Sequence, residues 1–203
     1  MIELERDSTL LFNEEEHKYT YEGEVMESAT TVISALHESF DEDAISKRVA
    51  EKKGVTQKSI LKEWEKTRTT AQDFGNKLHL YCENLMVKWG YQKNKTLRTC
   101  DKNAREKAYR SGADKFFAEH IHLQPVAAEL PLCIPELRLA GTVDGVMVSD
   151  DGKIFLYDWK TSKRIDVKNY YGGKGFKAPF EDVEDCNYNK YSFICRCYND
   201  GYW

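Results

Sequence analysis

No run of apolar residues in this chain approaches the ~18 that would cross a bilayer. The opening MIELERDS is acidic where a secretory leader would be basic and then apolar. Both absences lead to the expectation of a soluble, intracellular protein with no membrane partner. No internal repeat, low-complexity tract or dividing linker is present, so the 203 residues read as a single domain, large enough to bury a real core. Six cysteines occur, but Cys186, Cys195 and Cys197 lack C-x-x-C spacing. With Cys82, Cys100 and Cys133 they read as reduced thiols, several in core positions. A general basic excess is missing too: the net charge is −4.

The charge is unevenly placed. Residues 1–46 hold thirteen acids and two bases, leaving residues 47–203 at +7. Lys47 to Arg68 has eight bases against three acids, and Lys160 to Lys177 has six against Asp166 alone. The second stretch also carries Gly172, Gly173 and Gly175 with Tyr170, Tyr171 and Phe176. Such a segment can wrap a phosphate backbone and stack its aromatics on unpaired bases. A solvated loop is the alternative.

Periodicity predicts a compact α/β order. Leu10–Phe12 and Lys18–Tyr21 read as a short hairpin. Asp41–Lys53 is a helix stopped by Gly54, and Ser59–Arg68 a second. Thr70–Trp89 is a third, closed by Gly90, with a core stripe of Phe74, Leu78, Leu85 and Trp89. Asp101–His120 is a fourth. Strands follow at Val126–Ile134, Leu137–Val148 and Lys153–Lys160, and a last helix at Asn187–Tyr198. Residues 1–125 form a mostly helical N-terminal part, and residues 126–203 a sheet, a basic loop and the last helix.

Leu139 to Lys163, LAGTVDGVMVSDDGKIFLYDWKTSK, is the most informative stretch. β-formers run up to a turn at Asp150-Asp151-Gly152 and away from it. A three-residue loop with a left-handed Gly152 pairs Ser149 with Lys153, and so Asp144 with Asp158. Opposed residues have Cβ atoms ~5 Å apart, close enough to share a divalent cation. Lys160 then lies on the same face, opposite Thr142. A four-residue loop would send the acids to opposite faces. Val143 and Met147 share a face with Phe155, Tyr157 and Trp159, while Ala140, Val146, Ile154 and Leu156 join the acids. A sheet apolar on both faces is covered by helices on both sides.

GTVD followed by DWK resembles the PD-(D/E)XK nucleases, with Asp144 as the second-motif acid and Asp158-Trp159-Lys160 as (D/E)xK. Gly75 to Glu83 is similar to the GxxxHxxxE helix of the RecB-type and Cas4-type branch. Leu11 to Ile33, with His17-Lys18-Tyr19 and Ser28 to Ile33, is similar to the start of exonuclease-like members from phages and large DNA viruses. The resemblance implies a restriction-endonuclease-like core, a central mixed β-sheet flanked by helices with an N-terminal helical region. It implies a metal-dependent deoxyribonuclease, expected to be an exonuclease in DNA repair, recombination or replication. The compartment would be a bacterial host's cytoplasm or the site of viral DNA replication.

The resemblance also assigns roles. Asp144, Asp158 and Lys160 are catalytic. His79, Asp144, Asp158, the Trp159 carbonyl and Glu83 hold Mg²⁺, with Mn²⁺ able to substitute. For His79 and Glu83, four residues apart, the bland reading is a polar helix flank. Gly75 would let their helix approach the sheet closely. Glu129 in AAELPL points either into the site or to solvent on an edge strand. Lys160 orients the nucleophile or stabilises charge on the phosphorane. Thr161, Ser162, Lys163, Lys168, Lys174 and Lys177 meet nucleic-acid phosphates. The expected partner is DNA, single-stranded or with free ends. No iron–sulfur cluster is expected, since no cysteine precedes the His79 helix. The branch's QxxxY motif is incomplete. One register puts Ile194 and Tyr198 at its ends, another Asn187 and Tyr191, and neither has glutamine. Tyr191 and Tyr198 are the expected tyrosines, on a truncated or divergent C-terminus. The competing class is a relative that binds DNA or a protein without cutting.

Overall fold

The computed structural model describes residues 9–13, 15–37, 40–88, 104–162, 164–169 and 175–199, giving the backbone alone for 104–106 and 198–199. Three strands open the chain: β1 (Leu10–Asn13), β2 (Lys18–Tyr21) and β3 (Glu24–Ser28). Helices α1 (Ala29–Ala35), α2 (Glu42–Lys53), α3 (Gln57–Lys88) and α4 (Ala104–Glu119) follow. Then come β4 (Leu123–Ile134), a 3₁₀ turn, β5 (Leu139–Ser149), β6 (Ile154–Tyr157) and α5 (Asn187–Asn199). The sheet is mixed. β1, β2 and β3 form an antiparallel meander, and β3 joins β5 in parallel through Glu27–Leu139 and Ser28–Ala140. β4 lines one edge of β5, and β3 and β6 share the other, at its start and its end. Gly141 to Asp144 therefore has no ladder partner on that second edge among the described residues. The N-terminal part is mostly helical as expected, but its strands belong to the central sheet.

Local chemistry explains the helix ends. Ser28 caps α1 by accepting from Thr31 N–H at 3.2 Å, and Asp41 caps α2 by accepting from Ala44 N–H at 2.9 Å. Glu42 and Asp43 open α2, Lys52 and Lys53 close it, and Gly54 ends it at φ 67°. The two helices expected over 59–89 are one. Nothing between Arg68 and Thr70 breaks the backbone, and the Thr67 and Thr70 hydroxyls bond back to the Glu63 and Lys66 carbonyls at 2.8 and 2.7 Å. The result is a 32-residue rod, ~48 Å long.

The buried line of α3 also differs from the expected stripe. Cys82 and Met86 are fully buried and Leu78 and Leu85 only partly, while Trp89 lies outside the described residues. Cys82, Met86 and Phe117 pack on Leu123, Ala128 and Met147. On the other side Ile33 of α1 and Ile194 of α5 pack on Ala127, Leu130, Val143 and Val146. Each of the large apolar side chains among these contributes ~1.5–3 kcal/mol by leaving water. Helices thus cover both faces of β4 and β5, but Ile154 and Phe155 on β6 stay exposed. Val143 joins Val146 rather than Met147, correcting the expected face. Alternation breaks at Glu129, which takes φ 48° in the middle of β4 and separates Ala128 from Leu130. Among the described residues no helix is long and apolar enough to cross a membrane.

Candidate active site

The β5–β6 turn sets the register. Gly152 has φ 81°, a conformation costly for any residue with a Cβ. Its N–H donates to Ser149 O at 2.9 Å, and Ser149 N–H donates to Lys153 O at 3.0 Å. The ladder then runs from Val148–Ile154 to Gly145–Tyr157, which brings Asp144 level with Asp158. Only the three-residue loop gives this. The expected strand to Lys160 is shorter, however, because β6 stops at Tyr157. Beyond it the Trp159 N–H turns inward and donates to Asp144 Oδ2 at 2.5 Å.

On the opposite edge of β5, Ala128–Gly145 and Leu130–Val143 bracket Glu129 and Asp144. Left-handed backbone costs a residue with a Cβ ~1–2 kcal/mol, and here it accompanies a carboxylate aimed at the site. From α3, His79 places Nδ1 3.5 Å from Asp144 Oδ1 and 3.9 Å from Glu129 Oε1. Its Nε2 lies 2.9 Å from the Trp159 carbonyl. A carbonyl can only accept, so that nitrogen carries the proton and Nδ1 faces the two acids. Gly145 allows this approach: a Cβ there would stand 3.2 Å from Met86 Sδ. Gly75 does not govern it, since its Cβ would meet only Thr161 Oγ1 at an ordinary 3.9 Å.

His79, Glu129 and Asp144 present one donor atom each within 4.8 Å of one another. Bonds of ~2.1 Å to one small divalent ion put neighbouring donors ~3 Å apart and opposite ones ~4.2 Å apart. The 3.5 and 3.9 Å separations lie in that span. The electrostatics agree. Burial pushes the Asp144 carboxyl up from 3.8 to about 6, with Asp158 adding to it and His79 opposing. Burial lowers the His79 imidazole, but the Glu129 and Asp144 carboxylates beside it outweigh that and hold it above its ordinary value. An acid this costly to ionise and an imidazole nitrogen facing it suit a cation.

Asp158 sits beside this group rather than within it, with Oδ2 2.5 Å from Lys160 Nζ. The Lys160 ammonium lies 5.6 Å from the centre of the Tyr191 ring, and the Tyr191 hydroxyl is 2.8 Å from Ser162 Oγ. Thr161 is tied by its carbonyl, which accepts from Tyr109 OH at 3.2 Å. Glu83, one turn beyond His79, is outside the three-residue group. The Trp159 carbonyl enters the site as the acceptor for His79. Lys168 is exposed. Lys177 is engaged elsewhere: its Nζ reaches Ala35 O at 3.2 Å and its N–H reaches Leu36 O at 2.7 Å. It caps the carbonyl end of α1, where a cation is favoured. Lys163, Lys174 and the Tyr198 side chain lie outside the described residues.

Two residues of the site were obscure in the sequence. Strand alternation left Glu129 open between the site and solvent, and it faces His79. Tyr19, buried in β2, hydrogen-bonds Thr142 Oγ1 at 2.9 Å, and the Glu129 charge reaches its phenol. The described residues of α5 divide between core and loop contacts. Ile194 is core, whereas Asn187 accepts from Asp166 N–H and donates to Arg164 O, one turn before Tyr191. Asn187 and Tyr191 therefore anchor the segment that leaves the site.

Compared with known proteins, residues 26–173 match the family model of the PD-(D/E)XK nuclease superfamily. No curated protein and no solved structure matches. The match spans the strand that joins β5, the His79 helix, the acid-bearing hairpin and Lys160. With a mixed six-stranded sheet packed against helices, this chain belongs to the PD-(D/E)XK nuclease superfamily.

Proposed function

We propose that the chain is a Mg²⁺-dependent deoxyribonuclease, with Mn²⁺ able to substitute, and that it acts as an exonuclease on free ends or single strands of DNA during repair, recombination or replication. The observation that carries this reading is the meeting of the His79–Glu129–Asp144 donor group with the Asp158–Lys160 pair at the middle of β5. His79, Glu129 and Asp144 would hold the ion, and Asp158 would complete the carboxylate set after releasing Lys160. A divalent ion bound there supplies Lewis acidity, polarising a phosphate and acidifying a bound water. The chain's own groups do the rest. Lys160 presents a positive charge to the phosphate oxygens where negative charge builds during attack. Tyr191 supports that ammonium from below, and Ser162 is oriented by the same phenol. The Trp159 carbonyl fixes the His79 ring through Nε2 and leaves Nδ1 toward the acids.

The test is cleavage of end-labelled single- and double-stranded DNA with Mg²⁺ or Mn²⁺, beside Asp158→Ala and Lys160→Ala. The expected result is cleavage lost in both variants and with chelator, with a product ladder that starts at the ends. Folded protein that binds DNA but never cuts it would overturn the enzymatic reading in favour of a binding module.

A further inference from the structure

Between α3 and α4, against the Asp158–Lys160 pair, lies an open cleft of ≈ 410 Å³. Leu78 enters it from α3, Tyr109, Gly112 and Phe116 from α4, and Trp159 and Lys160 from the segment after β6. We infer that this cleft seats one unpaired nucleobase of the substrate beside the phosphate being cut, whatever the base. The inference rests on the nuclease reading and extends it to how the substrate is gripped.

Position comes first. A phosphate drawn to Lys160 carries a nucleoside on either side, and the wall that holds Asp158 and Lys160 continues into the cleft. Size limits the occupant. Small-molecule sites run ~300–1,000 Å³, and one near the lower end takes a single nucleoside. A duplex does not enter, so the base must already be out of its stack.

The lining fits a base but does not read one. Its polar side chains are Tyr109, Asp158, Lys160 and the Trp159 indole, which offers a single N–H. Tyr109 OH already donates to the Thr161 carbonyl, and the acid and lysine face each other. What remains is apolar, Leu78, Ala108 and Ala113 beside the Tyr109, Phe116 and Trp159 rings, and a ring stacks on any base. That surface is built in advance. Phe116 meets Trp159 edge to face with centroids 5.2 Å apart, and Tyr109 meets Phe74 likewise at 4.8 Å. Rings already held in place lose little freedom when a ligand arrives.

Gly112 provides the test. Gly112 lines the cleft and a Cβ built there meets nothing within 4 Å, so a larger side chain can be added at this wall without displacing the described residues. A fluorescently labelled single-stranded DNA decamer is titrated in chelator, where no cutting occurs. An abasic residue is moved through it one position at a time, and affinity is read by anisotropy. The wild-type chain should show one position where loss of the base weakens binding ~5- to 150-fold, the worth of one stacked base. Exchanging the base there among A, C, G and T should matter far less. Gly112→Phe should remove that position's effect, while Gly112→Ala should keep it. Thermal melts confirm that both variants fold. A flat abasic scan, no binding, or a scan unchanged in Gly112→Phe would each overturn the seat. DNA cleavage with Mg²⁺ is measured beside it, so a protein that cuts with a flat scan refutes only the seat, and a scan with the expected dip but no cutting refutes only the nuclease reading.

Discussion

Replacing Asp144 with asparagine should abolish cleavage and, in the metal-free protein above neutral pH, make the fold more stable. Asp144 is only 8% exposed, and burial moves its carboxyl from 3.8 to about 6. Below pH ~4 the group is protonated folded and unfolded, and it costs nothing. As pH rises from there through 6, the folded chain keeps a proton that the unfolded chain releases, so stability falls. Above 6 the full penalty stands, ~3 kcal/mol at ~1.4 kcal/mol per factor of ten. That figure is already net of His79 and the Trp159 N–H, which stabilise the anion. The amide introduced by Asp144→Asn keeps an oxygen to accept from the Trp159 N–H and never ionises. In a chain of this size ~1 kcal/mol is worth ~2–4 °C, so Asp144→Asn should melt up to ~6–12 °C higher at pH 8 in chelator and level with wild type at pH 4. His79 titrates against the same acid, so the difference curve belongs to the pair. Millimolar Mg²⁺ or Mn²⁺ should raise the wild-type melting temperature and leave the variant's nearly unchanged. A variant equal to or less stable than wild type at pH 8, or a gap that ignores pH, would refute the buried-carboxylate argument.

Other expectations concern single contacts. Glu129→Gln should lower the His79 pKa, followed by NMR titration of the ring protons, because it removes a negative charge that holds the imidazole protonated. His79→Ala should weaken Mn²⁺ binding at least ~10-fold by calorimetry. Tyr191→Phe loses one hydroxyl contact worth ~1 kcal/mol, whereas Tyr191→Ala also removes the ring beside Lys160; turnover of Tyr191→Ala should be the lower of the two. Gly145→Ala should destabilise by ~1–3 kcal/mol in urea titrations because Met86 must move. Gly75→Ala should be neutral or stabilising by up to ~1 kcal/mol.

How much of this was legible in the chain depends on the range of each interaction. Turns and caps are local, so Gly152 carried the hairpin register and Asp41 and Gly54 the bounds of α2. The buried acid on β5 and the His79 helix followed from spacing and family resemblance together. The continuity of α3 was hidden because threonines lower helix propensity, yet bond back to the helix once inside it. Glu129 was hidden more deeply. A left-handed non-glycine in a strand has no compositional mark, and only the tertiary site accounts for it. Asn187 and Tyr191 became readable only when Ile194 was seen to be core.

The unbroken length of α3 has a mechanical side. The helix is braced against the sheet where Met86 meets Gly145, and its far end at Gln57 stands ~44 Å from that fulcrum. His79 lies only ~10 Å from it. A tilt of about 5° would carry the far end nearly 4 Å and the imidazole not quite 1 Å, about the misplacement that costs ~100-fold in rate. The rod is thus a lever with a short inner arm, and its outer arm, packed with α2, is where a grip on this protein would be felt at His79.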